Sequence, residues 1–268
     1  MKKSILLLIF IVLFKTGFTQ QTLPIKHSFK GQSAPSVELD IYGTAIYIEG
    51  YDGDELTIHT YDAASSKSEP EEARGLANIS SIAKYSYERK VMYDPPAQPA
   101  DPKQVFIWLR ENDKVLLIKV PRNIHLKLKA GFMQSEISKI SLKDLTGELE
   151  INGAALVTEV NNVTGPITFS SNTIVSSKII ITNIKWPNAN ANPKPLINIS
   201  AHTADVDISV PENAKATIDV NTSNGDIYSN LNLVNKRRSS NFSGDLNGGG
   251  PSIVVNTNYG NVFLRKQK

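Results

Sequence analysis

Alternation of apolar and polar residues at every second position is the dominant pattern of this chain. It occurs in short runs such as LDI (39–41), LKL (126–128) and VDI (206–208), which are bounded by Asn, Gly, Asp, Ser or Thr. Because successive side chains of a strand point to opposite faces, a period of two indicates half-buried β-strands. β-Branched residues fit a pleated surface, and helical spacing is nearly absent. The pattern therefore predicts an all-β fold.

A short phrase recurs in the second half of the chain and suggests how the strands are arranged. Val220 and Val255 each open a run of aliphatic residue, Asn, Thr, two variable residues and Gly, and looser copies begin at Val160 and Ile199. If Ile181 opens a further copy, the recurrence is near twenty residues, which favours a coil of stacked turns over a sandwich. The predicted fold is a single-domain parallel β-solenoid, similar to a β-helix, with short strands and inserted loops.

The recurring phrase is explained if it forms a corner that every turn of the coil repeats. A Gly or Asn at the corner supplies the positive φ that lets the chain turn sharply. In such a coil, Val206 and Ile208 point inward while Asp205 and Asp207 point to solvent. A shift of one residue would bury carboxylates at a cost of several kcal/mol each, so the inward assignment is favoured.

Two segments depart from this pattern and are predicted to be insertions in a domain that spans residues 20–268. Residues 62–104 are polar and include DPPAQPADP, whose four prolines a central strand would not accept. Residues 185–195, KWPNANANPKP, are predicted to form an extended surface loop. Between these insertions, residues 105–121 are predicted to form two strands joined by a turn at residues 111–114.

The first 19 residues have the features of a secretory signal peptide. Lysines precede an apolar run, residues 4–14, that is too short to span a bilayer. Gly17 and Thr19 are small residues at the positions required for cleavage before Gln20. No later run reaches the length of a membrane span, so we expect an exported protein of the bacterial periplasm or cell surface, without a span in the mature chain.

Charge and cysteine content narrow the classes of function. The chain has 29 basic and 26 acidic residues, and removal of the three lysines in the first 19 residues leaves 26 of each. A mature chain that is close to neutral lacks the basic stripe of a nucleic-acid-binding protein. The sequence contains no cysteine, so an exported chain of this kind depends on packing and backbone pairing without disulfides.

Few side chains are candidates for catalysis or metal binding. The four histidines lie in no recognisable metal or nucleophile motif, and the alternation places His59 and His125 on the solvent side. If their corners stack in adjacent turns, Asp205 lies about 4.8 Å from Asp226. Calcium could bind between these carboxylates, or both could be solvated turn residues. We predict no catalytic residue, no cofactor and no metal ligand.

Trp186 is the one candidate ligand contact. It lies in the Pro- and Asn-rich insertion, where an exposed indole could stack on a sugar or on a protein partner. The alternative is that Trp186 caps the side of the coil. Trp108 alternates within an apolar run and is predicted to be packed.

Three segments of the chain resemble the "putative adhesin", or toast-rack, domains of bacterial envelope proteins. They are residues 115–131, 208–231 and 254–266, in which Val120-Pro121 and Val210-Pro211 end aliphatic strands. Residues 223–226 resemble the family's Ser/Thr-Gly-Asp corner with Asn224 inserted. The resemblance covers roughly residues 115–268 and implies a secreted, repetitive all-β domain with no catalytic residues to carry over. The two insertions have no counterpart in the family pattern.

Two classes of function follow from these features. The first is a non-enzymatic, adhesin-like binding or structural module of the bacterial cell envelope, whose partner is a glycan or an envelope protein. The second is a polysaccharide-active lyase or hydrolase on a solenoid scaffold. A groove that gathers an Arg or Lys with two or more carboxylates would favour the enzyme, whereas a smooth polar face would favour the binding module. The sequence specifies neither the ligand nor the oligomeric state.

Overall fold

The computed structural model describes residues 25–62, 104–130, 137–153, 155–187, 195–237 and 241–267. Within these ranges the regular structure consists of seventeen strands without a helix, which confirms the all-β class. The predicted signal peptide, nearly all of the 62–104 insertion and residues 188–194 of the second insertion lie outside them. The strands are β1 (Ile25–Ser28), β2 (Ser36–Tyr51), β3 (Glu55–Asp62), β4 (Gln104–Pro121), β5 (His125–Ala130), β6 (Lys139–Lys143), β7 (Leu149–Gly153), β8 (Val157–Asn161), β9 (Ile167–Ser171), β10 (Ser177–Thr182), β11 (Ile197–Val210), β12 (Ala216–Asn224), β13 (Ile227–Ser229), β14 (Leu233–Arg237), β15 (Asn241–Leu246), β16 (Ser252–Tyr259) and β17 (Val262–Lys266).

Two parallel ladders connect β2 to β11. One ladder runs through β5, β7 and β9, and the other through β6, β8 and β10. Together these strands form a closed parallel barrel of eight strands, with further strands outside it. Strand β4 pairs along β2, while β16 and β17 pair with β11. Parallel pairing is therefore confirmed for the barrel, whereas β3 pairs with β1 and β4, and β15 with β12 and β14, in antiparallel orientation. The solenoid itself stays a prediction.

Two long strands join the ladders and close the barrel. Strand β2 has 16 residues and β11 has 14, so the prediction of short strands is wrong for these two. Residues 36–41 of β2 pair with β5, and residues 45–49 pair with β6. Residues 197–201 and 204–208 of β11 likewise pair with β9 and β10. Because β2 and β11 each belong to both ladders, the two ladders are joined to each other at β2 and again at β11.

Strand β4 corrects the prediction of a two-stranded hairpin at residues 105–121. It is one strand of 18 residues that runs parallel to β2 along its length. Gly43 pairs with Glu111 and Ala45 with Val115, so β4 contains two more residues than β2 between these pairs. Residues 111–114, predicted to be a turn, therefore form a β-bulge, which adds residues to one strand without reversing the chain.

The core is built from the apolar residues of the alternating runs. Val206 and Ile208 are 0% exposed, and Asp205 and Asp207 lie on the opposite side of β11 with partial exposure, which confirms the predicted register. Burial of each such aliphatic side chain contributes roughly 1.5–3 kcal/mol, so the register is strongly determined. Other members of the core are Val37, Leu39, Ile46, Ile48, Leu126, Leu128, Ile140, Leu142, Leu149, Ile151, Val160, Ile167, Ile179, Ile181, Ile197, Ile199, Val255 and Val262.

Corners of neighbouring strands stack closely at the recurring phrase. Ile199 pairs with Val255, and Val255 pairs with Val220, so three copies of the phrase are aligned. A Cβ atom on Gly260 would lie 2.0 Å from the carbonyl oxygen of Ala204, and one on Gly225 would lie 2.0 Å from that of Gly260. Only a residue without a side chain allows corners to approach this closely.

The threonine of the phrase ties each corner to the next. Thr222 Oγ1 donates to the carbonyl oxygen of Gly260 at 3.0 Å, and Thr257 Oγ1 donates to that of Ala204 at 3.4 Å. Both threonines are buried, so these bonds satisfy hydroxyl groups that would otherwise be costly to bury. The phrase therefore recurs because the corner recurs, as predicted.

The copy at Val160 belongs to a different column of corners. Val160 pairs with Ile181 in the other ladder, not with the phrase at Val220. The residues that turn the chain there are Asp144, Asn162 and Asn183, with φ of 60°, 51° and 53°. Asn and Asp tolerate this left-handed conformation better than other residues with a Cβ, which fits the predicted use of Asn at corners.

The stacked corner predicts an unequal effect of two alanine substitutions. Gly260→Ala places an alanine at φ 138°, a positive φ that favours glycine. Its Cβ would also clash with the carbonyl oxygen of Ala204. We expect it to lower the free energy of unfolding by at least about 3 kcal/mol. Gly248→Ala is the control, because Gly248 has φ 87° but nothing within 4 Å of the position that its Cβ would occupy. It should cost only about 1–2 kcal/mol. Equal losses in denaturant unfolding would contradict the role of close stacking.

Candidate ligand-binding cavity

A cavity of about 310 Å³ lies where four connecting segments meet. These segments are the loop after β1, the turn between β2 and β3, the corner between β4 and β5, and the corner between β6 and β7. Its polar lining includes Gln32, Asp52, Asp54, Arg122 and Asn123. The chain thus brings together side chains that lie far apart in sequence, on connections that the strands hold in place.

Backbone hydrogen bonds between successive corners form the floor of the cavity. Arg122 N donates to Tyr51 O at 2.9 Å, and Thr146 N donates to Arg122 O at 2.9 Å. The Thr146 hydroxyl donates to the same carbonyl at 3.2 Å. A Cβ on Gly147 would lie 1.7 Å from Ile124 O, so these two corners are also closely stacked. The backbone of Arg122 is therefore fixed from both sides.

The Arg122 guanidinium forms an ion pair at the mouth of the cavity. Its Nε lies 3.1 Å from Asp52 Oδ1, and Nη2 donates to Asp52 Oδ2 at 3.5 Å. The Asp52 side chain is 87% exposed, and the pair is therefore screened by solvent and worth less than about 1 kcal/mol. The Nε–H of Arg122 is buried and is not aligned for a hydrogen bond with the carboxylate.

Gln32 contributes an acceptor in the same cavity. Its Oε1 is buried and has no hydrogen-bond donor. The loop that carries it is held by two bonds, Gln32 N to Phe29 O at 2.9 Å and Asn123 Nδ2 to Ser33 O at 2.8 Å. Buried polar atoms are normally paired, so Gln32 Oε1 is an exception, although neither it nor Arg122 Nε has surface that solvent can reach.

Aromatic side chains form the apolar walls. Tyr51 is held at its hydroxyl, which donates to Glu55 O at 2.9 Å and accepts from Glu55 N at 3.2 Å. Phe29 is 1% exposed, and its backbone N donates to Asp54 O at 2.6 Å. The ring of His27 meets that of Phe29 edge-on at 4.8 Å. Burial lowers the pKa of His27, so the imidazole is neutral at neutral pH.

Trp186 lies outside the cavity but on the same side of the molecule. It packs against the core with partial exposure, and its Nε1 donates to Lys215 O at 2.9 Å. Lys185 N donates to Val163 O, and Thr164 N donates to Leu145 O, which continues the row of corners that begins at Arg122. Three steps between adjacent corners separate Trp186 from Arg122, which corresponds to roughly 14 Å. Its predicted contact with a ligand stays a prediction.

The predicted pairing of Asp205 with Asp226 is wrong. Val206 and Ile227 do align, but both pair with Val262, so β17 lies between them. Asn261 fills the space: its N donates to Asp205 Oδ1 at 2.8 Å, and its Oδ1 accepts from Asp226 N at 2.9 Å. Among the described residues, no group of three or more His, Asp or Glu side chains is placed to hold a metal ion.

The residues of the cavity were missed by the sequence analysis. Asp52 and Asp54 flank Gly53 in a turn pattern, and Arg122 follows the Val-Pro pair that ends β4. Each is an ordinary surface residue when considered alone. No local pattern connects Gln32 with Arg122, which is 90 positions later. His59 and His125 are exposed, as predicted, and lie apart from the cavity. The side chain of Trp108 is outside the described structure.

Comparisons with known proteins give no family for the chain. No family model matches it, and no curated protein matches it. A solved structure described as a "putative cell adhesion protein" from Clostridium sporogenes aligns with 91% of this chain and 99% of its own, at 12% identity and a TM-score of 0.37. Values this low carry no inference about fold or function. In the described part of the chain, no helix has the length and apolar character needed to cross a bilayer.

The exposure of the Arg122–Asp52 pair predicts a small effect on stability. Asp52→Asn should change the free energy of unfolding by less than about 1 kcal/mol, and the difference should shrink at high salt. Glu38→Gln is the comparison, since Glu38 contacts Lys129 at 2.5 Å and its side chain is only 13% exposed. We expect that loss to be about 1–3 kcal/mol. Denaturant unfolding of both variants at two salt concentrations tests the difference. A larger loss for Asp52→Asn would assign Asp52 a structural role.

Proposed function

We propose that the protein is an exported, non-enzymatic binding or structural module of the bacterial cell envelope, with an adhesin-like role. The observation that carries this proposal is that the cavity and Trp186 lie on one row of corners along a rigid parallel scaffold. A concave site with convergent polar groups and a partly exposed aromatic side chain on the same side form a surface suited to an extended partner. That partner is a glycan or an envelope protein, and the location is the periplasm or the cell surface.

The path of the chain supports a solenoid interpretation of the scaffold. From β5 to β10, successive strands alternate between the two ladders, as successive turns of a coil do. Each turn then contributes one strand to each ladder, and β2 and β11 are turns in which the two strands are continuous. We therefore propose that the barrel is one part of a parallel β-solenoid with inserted loops.

The outward sides of the ladders carry both acidic and basic side chains, which form ion pairs with each other. Lys143 lies 2.9 Å from Glu49, and Lys139 lies 2.8 Å from Glu159, each pair linking neighbouring strands. Hydrogen bonding to Glu49 raises the pKa of Lys143. Surfaces with interspersed charges lack the single-sign field that attracts nucleic acid, and they offer hydrogen-bonding groups to a polar partner.

Trp186 provides the first test of a binding role. If its indole contacts a glycan, Trp186→Ala should weaken binding on a glycan array about tenfold, which corresponds to roughly 1.4 kcal/mol of lost aromatic contact. Trp186→Phe is the control, because it keeps an aromatic ring while removing the N–H that donates to Lys215 O. Thermal unfolding of both variants separates binding from stability. Undiminished binding by Trp186→Ala would remove this residue from the proposed site.

The cavity also gives a specific reason to consider an enzyme. It gathers Arg122 with Asp52 and Asp54, which is the combination that the sequence analysis associated with a polysaccharide-active lyase or hydrolase. A pair of carboxylates can serve as acid and base in glycoside hydrolysis. The second candidate function is therefore cleavage of a polysaccharide at this cavity.

Product assays separate the two candidates. Wild-type protein and the Asp52→Asn/Asp54→Asn variant are incubated with neutral and uronate polysaccharides, and new reducing ends and unsaturated products are measured. Under the binding proposal, both proteins release the same background amount of product. Product release by the wild type that the double variant lacks would establish the enzyme and refute the non-enzymatic module.

A further inference from the structure

We propose that Asn224-Gly225 is a site of spontaneous covalent modification, at which the asparagine is converted to aspartate and isoaspartate. This chemistry is independent of the proposed binding function. The observations that carry it are the sequence of the pair, the hydrogen bonds of its amide groups and its place at the outer end of a column of stacked corners.

The reaction needs only these two residues and water. The backbone nitrogen of Gly225 attacks Cγ of Asn224, and the new C–N bond closes a succinimide ring. The Cγ–Nδ2 bond breaks, and Nδ2 leaves as ammonia with the proton that the Gly225 nitrogen has lost. Water then cleaves either C–N bond of the imide. Aspartate forms if Cγ takes the hydroxyl, and isoaspartate forms if the main-chain carbonyl carbon takes it. Glycine favours ring closure because it lacks a Cβ and its backbone is the most permissive.

The sequence contains three Asn-Gly pairs, and the first is restrained by a ladder. Asn152 and Gly153 both lie in β7, where they pair with Lys129 and Ala130 of β5. Asn152 Nδ2 also donates to Glu150 Oε1 at 2.8 Å. Ring closure at this pair requires the end of β7 to leave the sheet.

The pair Asn247-Gly248 is restrained through its side-chain amide. Asn247 Nδ2 donates to Glu212 O at 2.9 Å and to Ala214 O at 2.8 Å, so both of its hydrogens are engaged. Attack on Cγ turns this amide away from its acceptors. The hydrogen bonds that must break first slow the reaction.

Asn224-Gly225 has weaker restraints than the other two pairs. Both residues are exposed, and Asn224 Nδ2 donates to Asn258 O at the long distance of 3.4 Å. Among the described residues, none accepts a hydrogen bond from the Gly225 nitrogen. The attacking nitrogen and the leaving amide are therefore both accessible to water.

The pair also lies at the outer end of its column of corners. Gly225 stacks on Gly260, and Gly260 stacks on Ala204. On the outer side of β12, the pairing with β15 ends at Asn221, so no described strand covers the Gly225 corner from that side. A corner held from one side opens locally at a lower free energy than a corner held from both. Such opening gives the backbone the freedom that ring closure requires.

Isoaspartate at position 224 would disturb the stacked corner. It carries the main chain through Cβ and Cγ, which adds one methylene directly before Gly225. The corner has no space for extra atoms on this side, because a Cβ on Gly225 would lie 2.0 Å from Gly260 O. The Thr222 hydroxyl bonds to the same carbonyl at 3.0 Å. We therefore expect the longer chain to separate β13 from β17.

The first test measures the three pairs in one sample. The folded protein is incubated in mildly alkaline buffer and digested, and mass spectrometry follows the replacement of the amide –NH2 by –OH in each peptide. We expect Asn224 to react at least about tenfold faster than Asn152 and Asn247. Its rate should rise with pH, because the Gly225 nitrogen must lose a proton. In concentrated urea, which removes the restraints of the fold, the three pairs should react at similar rates.

The second test separates the change of the backbone from the change of charge. The isoaspartate fraction of the incubated wild type, isolated by ion-exchange chromatography, should unfold at least about 2 °C below the fresh protein. Asn224→Asp is the matched control, since it adds the charge at an exposed position without lengthening the chain, and it should unfold as the wild type does. Asn224→Gln should neither react at this position nor lose stability on incubation, because its longer side chain disfavours ring closure.

Several outcomes would overturn the proposal. Equal rates at the three pairs in the folded protein, a faster reaction at Asn152 or Asn247, or an unmodified Asn224 would refute the assignment of the site. An isoaspartate fraction that unfolds with the fresh protein, or an equal loss of stability in Asn224→Asp, would refute the effect on the corner.

Discussion

Close stacking of chain corners is the constraint on which the rest of this structure depends. Parallel strands in a ladder are about 4.8 Å apart, so each connection must follow the path of its neighbour at the same spacing. Gly225 and Gly260 make this possible because each approaches a carbonyl oxygen at a distance that no Cβ could occupy. Thr222 and Thr257 then satisfy those carbonyls. In a chain without cysteine, such backbone contacts and the aliphatic core supply the stability that disulfides often give an exported protein.

The candidate site arises where this regular stacking changes. The loop after β1 and the turn between β2 and β3 lie against the corner at Arg122, and the gap between them is the cavity. Gln32 Oε1 and Arg122 Nε at this boundary are buried without a hydrogen-bond partner, as is Thr164 Oγ1 in the regular corner between β8 and β9. The regular corners therefore provide the support, and the irregular connections line the cavity. The same division explains why the recurring phrase itself has no place in the proposed binding site.

Sequence patterns predicted the local structure well and the long-range arrangement only in part. Period-two alternation identified the strands and the inward side of β11. It did so because the free energy gained by burying Val206 and Ile208 is lost in a register shifted by one residue. The repeat identified three copies that stack, at Ile199, Val220 and Val255, since the contacts at Gly260 require a specific residue, but it did not give their order or the separate column at Val160. Alternation does not determine where a strand ends, so the lengths of β2, β4 and β11 were not predicted. Nor could it show that β17 lies between Asp205 and Asp226. The cavity was missed because its residues come from connections distant in sequence.

The two long strands have a consequence for mechanical load. A protein that joins a cell surface to a partner carries tension, which reaches the fold through its ends. Because β2 and β11 each belong to both ladders, a force that moves these two strands apart loads the hydrogen bonds of both ladders. Separation of β2 from β11 therefore requires a break in each ladder. The barrel therefore resists separation of β2 from β11 as one unit, and under the proposed binding role it is the part of the molecule that would hold under load.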